Sequence, residues 1–469
     1  MTVLRRNGEW VSWLDWGNSA FFGVLDQGLF AASGFITNIL LARWLSAESF
    51  GAFALAYAVF LFLGTFYLQA LPGPMLVFGA GKYAEGFRRY LAILFYGHIG
   101  ITASISAVLL AVAVVVSQFG SRLTVHALIA LAVAAPGILF LWLARYAFYA
   151  RLKPHWAAAG SALYLVMTTV GIYGLAQARA LSPVSALLLM GANSLIVGSC
   201  LAVVLRPQWC TSLAGYRRGI GAVARFFAGE VSAESGRALT AEPEANWELS
   251  TVLYDHYHFA KWSSAASAAN WFVTNLHYFA LSSSAGLGSV AAMRVLDTAL
   301  SPFFNIQTAM SRLLIPALGK RSRRAGNGLL ADVIRISALW ASLAIGGYAL
   351  LRAFAPDILA LLYGGAYSQY GSLLGLYGLI IISTSIAEPI LSLLRAMIRN
   401  DLVFLYQLVF AASLFTGYVI EAGNGLSGII SVMIVVHFCI LPVGLISAKL
   451  VCSSGPGVPD KVPASHLAE

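Results

Sequence analysis

Long apolar stretches separated by short polar segments run along the whole chain. A stretch of about 20 residues can cross a hydrocarbon core of roughly 30 Å as a single helix. The pattern predicts twelve membrane-spanning helices in two groups of six, with a longer polar segment between the groups. The first group is expected at residues 18–42, 50–71, 91–117, 123–142, 156–176 and 183–205. The second group is expected at residues 263–284, 287–317, 329–351, 373–394, 402–420 and 426–450.

Composition supports a membrane protein and excludes a soluble one. The 469 residues are 59% hydrophobic and 10% charged, whereas soluble domains carry roughly 25% charged residues. The formal net charge is +10, but the basic residues are spread over every predicted inner loop. That distribution argues against a nucleic-acid partner.

Basic residues alternate between the predicted loops and set the orientation. One side of the membrane receives 21 Lys and Arg residues, and the other receives 4. Because cytoplasmic loops carry the excess of Lys and Arg, the sequence predicts both termini in the cytoplasm. Residues 1–15 lack an apolar core, so the first span is expected to be an uncleaved anchor rather than a signal peptide.

The sequence repeats itself at a constant offset of 237 residues. Phe35-Ile36-Thr37-Asn38-Ile39 returns as Phe272-Val273-Thr274-Asn275-Leu276, and three single residues match at the same offset: Ser46 with Ser283, Gly51 with Gly288, and Ala54 with Ala291. Transporters built from two related halves show such self-similarity. We therefore expect an all-α membrane protein with two pseudo-symmetric six-helix bundles around a central cavity. Asn38 and Asn275 are expected to line the interface between the halves.

The predicted domains follow from this pattern. They are an N-terminal bundle at 1–206, a cytoplasmic linker at 207–258, a C-terminal bundle at 259–452 and a cytoplasmic tail at 453–469. Within the linker, residues 216–229 have the pattern of a basic amphipathic helix that would lie on anionic inner-leaflet lipids. Residues 232–246 are rich in Ala, Glu, Ser and Pro, which is typical of a flexible segment.

Asp26 lies near the middle of the first predicted span. A carboxylate that faces lipid at this depth costs a few kcal/mol or more, so Asp26 is expected to face a cavity or a partner. In one interpretation it is protonated during part of a transport cycle, and in the other it pairs statically with a cation. No cation lies one helical turn away on the same helix, which favours the first interpretation.

Arg294 and Asp297 lie three residues apart in the eighth span and share one helical face. One interpretation is a pair that neutralises itself and lowers the cost of membrane insertion. The other is a substrate-facing cation positioned by its carboxylate neighbour, because a guanidinium fork binds phosphate oxygens through two hydrogen bonds. The predicted substrate-binding residues are therefore Arg294, Asp297, Asp26, Asn38 and Asn275.

Two further charged residues are candidates for coupling or gating. Glu388 precedes Pro389 in the tenth span, where proline kinks the helix, and the alternative is a kink that serves packing alone. Arg335 lies in the ninth span, and the alternative for it is snorkelling to the inner surface. Three intramembrane histidines are expected to be hydrogen-bonded packing residues: His98, His277 and His437.

Several catalytic and metal-binding motifs are absent from the sequence. There is no Walker A sequence, no HExxH and no paired CxxC. The predicted outer loops are short apart from residues 352–372, which leaves no room for an outer catalytic domain. We expect no catalytic residue, metal or cofactor. We also expect no disulfide among Cys200, Cys210, Cys439 and Cys452.

Two regions carry a family resemblance. The first is LDQG at 25–28 followed by NILLARWLSAESFGAFA at 38–54. The second contains Lys261-Trp262, Trp271, Asn275, Gly288, Ala292-Met293-Arg294, Pro302 and Ile315-Pro316-Ala317. Both resemble bacterial polysaccharide flippases of the Wzx type, a branch of the multidrug/oligosaccharidyl-lipid/polysaccharide exporter superfamily. The resemblance covers residues 24–54 and 261–320, and elsewhere only the number of helices agrees.

The resemblance implies a function in the bacterial cytoplasmic (inner) membrane. The substrate would be an undecaprenyl-diphosphate-linked oligosaccharide, flipped from the inner to the outer leaflet for lipopolysaccharide or exopolysaccharide biosynthesis. Arg294 matches the family's cationic cavity residues by position, whereas Asp26 and Glu388 match no family motif. A polysaccharide polymerase and a chain-length regulator are expected partners, and the long middle loop gives room for a partner.

Two other classes of protein remain open. A small-molecule exporter of the same superfamily would transport amphipathic cations and give no polysaccharide phenotype. A membrane-embedded polysaccharide polymerase or ligase would carry a large outer domain, and the short predicted outer loops argue against it.

Overall fold

The structure, a computed structural model, describes residues 2–6, 9–118, 120–207, 249–322, 328–397 and 399–453. It is nearly all helical. A two-stranded antiparallel ribbon of β1 (Thr2–Arg6) and β2 (Glu9–Ser12) precedes the first helix. The first seven helices are α1 (Trp13–Trp44), α2 (Ala47–Ala70), α3 (Pro72–Phe78), α4 (Phe87–Val116), α5 (Arg122–Ala150), α6 (Pro154–Gln177) and α7 (Pro183–Leu205).

The second half of the chain is helical in the same way. Its helices are α8 (Leu249–Ser284), α9 (Gly286–Ser322), α10 (Leu329–Tyr363), α11 (Gly371–Tyr377), α12 (Leu379–Ala396), α13 (Asn400–Glu421), α14 (Gly425–Cys439) and α15 (Leu441–Ser453). Short 3-10 turns cover Ser368–Tyr370 and Ala422–Asn424. Two predicted single spans are therefore interrupted, at Gly378 and Ile440, and the short α3 follows the predicted end of the second span at Leu71.

Helices occupy all twelve predicted segments, and the described residues contain ten segments long and apolar enough to cross a membrane. The two that fall short in apolar character are α8 and α9. These two helices carry Asn275, His277, Arg294 and Asp297 along their length. These two least apolar helices thus hold three of the five predicted substrate-binding residues, Asn275, Arg294 and Asp297.

Polar hydroxyls fix several helix starts. Ser46 accepts a hydrogen bond from the Ser49 amide at 3.2 Å at the start of α2, and Ser121 does the same for Leu123 at the start of α5. At the start of α7, Ser182 and Ser185 form a reciprocal capping box. Such caps satisfy amide groups that the helix itself leaves unpaired.

The predicted outer loop at 352–372 is wrong in its first half. Helix α10 continues through Arg352 and Pro356 to Tyr363. Gly364 and Gly365 then adopt positive φ angles of 68° and 88°, which residues with a side chain rarely adopt. These two glycines end the helix, so the irregular segment is shorter than the polarity of the sequence suggested.

The chain forms two compact units. The first contains Met1–Trp271 and Gly286–Arg294, and the second contains Phe272–Ala285 and Val295–Glu469. Helices α8 and α9 each contribute residues to both units. The domain bounds predicted from the sequence stay a prediction.

Small residues allow close helix packing in the first unit. α5 packs most extensively against α7, and a Cβ atom on Gly191 of α7 would lie 2.6 Å from the Ala134 Cβ of α5. In membranes, where lipid competes for apolar surface, such close approach supplies the van der Waals contact that holds helices together. A buried cluster around the same helices contains Leu141, Ala144, Phe148, Ala157, Tyr164, Val197 and Leu201.

The matched glycines of the repeat differ in their surroundings. A Cβ atom on Gly51 would overlap the carbonyl oxygen of Leu287, whereas a Cβ atom on Gly288 would meet nothing within 4 Å. The superposition of the two halves predicted from the repeat therefore stays a prediction.

The second unit has its own core. Its cluster contains Leu318, Leu329, Val333, Ile390, Leu393 and Ala448. Two interpretations of the linker, the amphipathic helix at 216–229 and the flexible segment at 232–246, fall outside the described residues. Cys210 and the tail that follows Ser453 also lie outside the described residues.

Candidate functional site

Arg294 of α9 is held by Asn38 of α1, and both residues belong to the first unit. The Arg294 Nε donates to the Asn38 Oδ1 at 2.9 Å. The same amide donates through Nδ2 to the Gly34 carbonyl at 2.7 Å, which orients its oxygen toward the guanidinium. Asn38 is 8% exposed and Arg294 is half-buried. The repeat residue Asn38 thus positions a partly exposed cation on a membrane helix.

Asp297 lies in a cluster of donors in the second unit. Its Oδ1 accepts from the Tyr377 hydroxyl at 2.6 Å. Its Oδ2 accepts from the Tyr278 hydroxyl at 2.5 Å and from the His277 Nε2 at 3.1 Å. The side chain of Asp297 is 19% exposed and that of His277 is 2% exposed. Donors from α8 and α11 therefore satisfy this carboxylate, and the pairing with Arg294 that the spacing suggested stays a prediction.

His277 makes a hydrogen bond, as the sequence predicted, and its partner is a carboxylate. Its imidazole bonds to Asp297 through Nε2, while Nδ1 is buried without a hydrogen-bond partner. The other two intramembrane histidines match the predicted packing role. His98 contacts the Tyr67 hydroxyl at 2.8 Å, and His437 contacts the Met433 carbonyl at 2.6 Å.

Asp26 forms a buried ion pair with Arg145 in the first unit. Arg145 of α5 binds it with two hydrogen bonds, from Nε to Oδ1 at 3.1 Å and from Nη2 to Oδ2 at 2.7 Å. The Tyr149 hydroxyl donates to Oδ2 at 2.6 Å, and the Ser161 hydroxyl donates to Oδ1 at 2.5 Å. Asp26 is 0% exposed and Arg145 is 3% exposed. The guanidinium also lies 3.8 Å from the centre of the Phe30 ring.

This pairing reverses the interpretation favoured for Asp26. The cation comes from α5, 119 residues along the chain, so a search for a cation on the same helix could not find it. Arg145 lies beyond the predicted span at 123–142, which places it in an inner loop by sequence, but α5 continues past it to Ala150. The place of Asp26 in a substrate site stays a prediction, and its contacts favour a structural role.

The remaining predicted site residues make other contacts. Asn275 donates to the adjacent Thr274 hydroxyl at 2.9 Å. Glu388 accepts from the Arg395 Nη1 at 2.8 Å, two turns along α12. The Arg335 side chain is 80% exposed, and its Nη1 lies 3.6 Å from the Asp332 Oδ1 one turn earlier. This exposure favours snorkelling over gating. The coupling and gating roles of Glu388 and Arg335 stay predictions.

A third polar cluster fastens the start of α8 within the first unit. The Asp255 Oδ2 accepts from the Lys82 Nζ at 2.8 Å and from the Tyr83 hydroxyl at 2.5 Å. His256 contacts the Ala70 carbonyl through Nδ1 and the Tyr90 hydroxyl through Nε2, both at 2.7 Å. Burial lowers the pKa of His256 from 6.5 to about 4. Burial, followed by the hydrogen bond to Asp255, raises the pKa of the Tyr83 hydroxyl.

The sequence pointed to Asp26 and Asp297 but not to most of the residues that bind their carboxylates. Arg145, Tyr149 and Ser161 come from α5 and α6, and Tyr377 comes from α11. One signal was available, since His277 and Asp297 both lie in predicted membrane segments on consecutive helices. Among the described residues, no three His, Cys, Asp or Glu side chains are placed to hold a metal ion.

Comparisons with known proteins identify the fold. No family model matches the sequence, and no curated protein matches it. A multidrug resistance MATE family transporter of the MOP superfamily, in an inward-facing conformation, superposes with a TM-score of 0.69 at 13% identity, covering 92% of this chain and 98% of that chain. The lipid II flippase MurJ gives a TM-score of 0.62 at 14% identity, covering 92% and 87%.

A third solved structure agrees. A MOP superfamily transporter from Pyrococcus furiosus gives a TM-score of 0.59 at 14% identity, covering 92% of this chain and 94% of that chain. At these identities the likeness establishes the fold. The chain is a multi-pass, all-α membrane protein with the fold of MOP superfamily transporters, and these structural neighbours are transporters rather than enzymes.

Proposed function

We propose that this chain flips an undecaprenyl-diphosphate-linked oligosaccharide from the inner to the outer leaflet of a bacterial cytoplasmic membrane, by alternating access, for surface polysaccharide biosynthesis. The twelve-helix topology, with both termini in the cytoplasm, belongs to this proposal. One of the structural neighbours is itself named a lipid II flippase. At 14% identity that neighbour supplies a fold compatible with the task rather than a substrate.

The observation that carries the proposal is the Arg294–Asn38 contact. Both residues lie in the two segments that resemble polysaccharide flippases. The 2.9 Å hydrogen bond uses Nε, so the contact fixes one edge of a guanidinium that is half-buried on a membrane helix. A planar guanidinium held in this way suits a diphosphate, whose oxygens it binds through paired hydrogen bonds.

The low apolar character of α8 and α9 supports the same function. A sugar diphosphate loses water without replacement in hydrocarbon, which makes spontaneous crossing very unfavourable. Polar side chains along two otherwise long helices supply substitutes for that water, while a polyprenyl tail can remain in lipid. Outward movement of negative charge is also favoured by an inside-negative potential, by about 2.3 kcal/mol per charge per 100 mV.

A small-molecule exporter is the second candidate. It is favoured by the likeness to a multidrug resistance transporter, whose TM-score of 0.69 exceeds that of the flippase. The charge of Arg294 argues against it, because a positioned cation repels the amphipathic cations that such exporters carry. The alternative of a polymerase or ligase has no support in the transporter fold.

The remaining partners belong to the proposal as well. Anionic inner-leaflet lipids would contact the basic residues of the predicted inner loops. A polysaccharide polymerase and a chain-length regulator would receive the flipped oligosaccharide, with the middle loop as a docking segment. Co-purification of either protein with the full chain, and its loss when residues 216–246 are replaced by a Gly/Ser linker, would test this part.

Arg294 gives the experiment. Arg294→Ala should abolish surface polysaccharide in cells that depend on this gene, while protein abundance and melting temperature stay near wild type. Arg294→Lys should rescue only partly, because a point charge replaces the planar fork. Arg352→Ala is the matched control, since this arginine is exposed on another membrane helix, α10, and it should leave polysaccharide unchanged.

Two outcomes would contradict the proposal. Full polysaccharide in Arg294→Ala would remove Arg294 from substrate contact. An equal fall of protein abundance and polysaccharide would assign Arg294 and Asn38 to folding instead.

A further inference from the structure

One nitrogen in the second unit has no hydrogen-bond partner although it is buried. His277 is 2% exposed, and its Nδ1 atom has no partner within the described structure. Its other nitrogen, Nε2, lies 3.1 Å from the Asp297 Oδ2. Because a carboxylate accepts, Nε2 carries the hydrogen, and Nδ1 of the neutral ring is a lone pair that faces no donor. Buried polar atoms without partners are rare enough to require a reason.

The surroundings of this imidazole are otherwise rich in titratable groups. Tyr278 from α8 and Tyr377 from α11 both donate to Asp297. Tyr418 from α13 lies within electrostatic range of Asp297, and His437 from α14 lies within range of His277. Asp297 is thus the only acid among the described groups that face His277.

We propose that His277 is a proton-binding site, which takes up one proton at Nδ1 and uses Asp297 as its fixed counter-charge. The proton comes from hydronium in the surrounding water: one O–H bond of hydronium breaks and leaves water, and the Nδ1 lone pair forms an N–H bond. The ring changes from neutral imidazole to imidazolium, and release to water reverses both changes. No other bond forms or breaks.

The geometry favours protonation at this atom. Uptake at Nδ1 leaves the Nε2 hydrogen bond to Asp297 in place, so no existing contact is lost. Uptake also converts an isolated buried carboxylate charge into a neutral pair, which burial favours.

A metal cation fits the cluster less well. All three contacts to Asp297 come from groups that donate a hydrogen, two hydroxyls and one ring N–H. Hard cations require oxygen lone pairs directed at them, and here the hydroxyl hydrogens point at the carboxylate. The 19% exposure of the Asp297 side chain gives water a route to the pair.

What the proton drives rests on the proposed transport function, but the binding itself does not. The test is therefore made first on the purified full chain in lipid nanodiscs without substrate. Histidine is labelled with ¹⁵N, and ring nitrogen shifts are followed by solid-state NMR from pH 5 to pH 8. His277→Gln identifies the His277 signal by its loss.

The expected result is a change of the His277 signal from a neutral ring to imidazolium within this range. Asp297→Asn, which removes the counter-charge, should abolish that change while the protein still melts cooperatively. His98→Gln is the control, because the His98 ring contacts a tyrosine hydroxyl and no carboxylate, and it should leave the His277 signal titrating. Tyr377→Phe keeps the cluster folded and should shift the midpoint without abolishing it.

The outcomes separate the two claims. A His277 ring that keeps one protonation state from pH 5 to pH 8 in the wild-type protein would overturn the proton site. Titration that is unchanged in Asp297→Asn would overturn the role of the counter-charge. Failure of the purified protein to move any lipid-linked oligosaccharide, with titration intact, would overturn the proposed function and leave the proton site standing.

Discussion

The carboxylates of Asp26 in the first unit and Asp297 in the second unit are both surrounded by hydrogen-bond donors, but the donors differ in kind. Asp26 faces the guanidinium of Arg145, which stays charged at any pH a protein survives. Asp297 faces the imidazole of His277 and two tyrosine hydroxyls. The first cluster therefore has a fixed charge balance, whereas the second can change its charge by one proton. Two acids that look alike in the sequence have different physical capacities.

The largest expected effect comes from breaking the fixed pair. Asp26→Asn leaves the 3% exposed Arg145 without its counter-charge, which should destabilise the protein by about 3–5 kcal/mol. Export should fall with abundance. The measurement is the melting temperature in detergent together with polysaccharide export, made on the same protein.

An exposed pair of the same geometry provides the control. Arg399 binds Asp401 through Nε at 3.0 Å and Nη2 at 2.9 Å, but the two side chains are 43% and 62% exposed. Asp401→Asn should leave the melting temperature nearly unchanged. The double variant Asp26→Leu/Arg145→Met should recover much of the stability lost in Asp26→Asn, because replacing both charges removes the uncompensated one. No recovery would show that the pair is not the unit of stability.

His256 is a buried histidine that can be compared with His277. Both of its ring nitrogens have partners, Ala70 and Tyr90, and burial lowers its pKa to about 4. The His256 ring binds a proton at a higher pH in the unfolded chain than in the folded protein. Folding stability should therefore be lost as pH falls from about 6.5 toward 4, by up to about 3 kcal/mol. His256→Asn should show a smaller loss over this range in detergent melting curves. An identical pH slope in both proteins would show that His256 does not titrate on unfolding.

A smaller effect should follow from removing one neutral donor from each acid. Ser161→Ala and Tyr377→Phe each delete a hydroxyl that donates to a carboxylate, at 2.5 Å and 2.6 Å. Each should cost about 1–3 kcal/mol in chemical denaturation. Only Tyr377→Phe should also move the midpoint of proton binding. A shift of that midpoint in Ser161→Ala would mean that the two clusters are not distinct in kind.

The positions of the helices could be predicted because apolar length decides them in a membrane. The errors lie where polar residues sit inside helices, as with Arg145 in α5 and Arg352 in α10. A local charge count assigns such residues to loops. Whether such a residue can lie inside a helix depends on a partner or a buried environment supplied by helices distant in the sequence.

The site was predicted in part for the same reason. Asp26, Arg294 and Asp297 stand out because charge is costly in a membrane. The uncharged hydroxyl partners of Asp26 and Asp297 carry no comparable signal, since Ser161, Tyr149 and Tyr377 are ordinary residues of membrane helices. Asn38 was found through the repeat, and its contact with Arg294 could not be read from a spacing of 256 residues.

Reconstituted flipping tests the central claim most directly. The purified chain is placed in proteoliposomes with a fluorescent undecaprenyl-diphosphate oligosaccharide, and a membrane-impermeant quencher reports which leaflet holds it. The account predicts that the wild-type protein and Arg352→Ala translocate the lipid, that Arg294→Ala does not, and that an amphipathic cation is not carried. Transport of the cation instead of the lipid, or equal lipid flipping by Arg294→Ala, would contradict it.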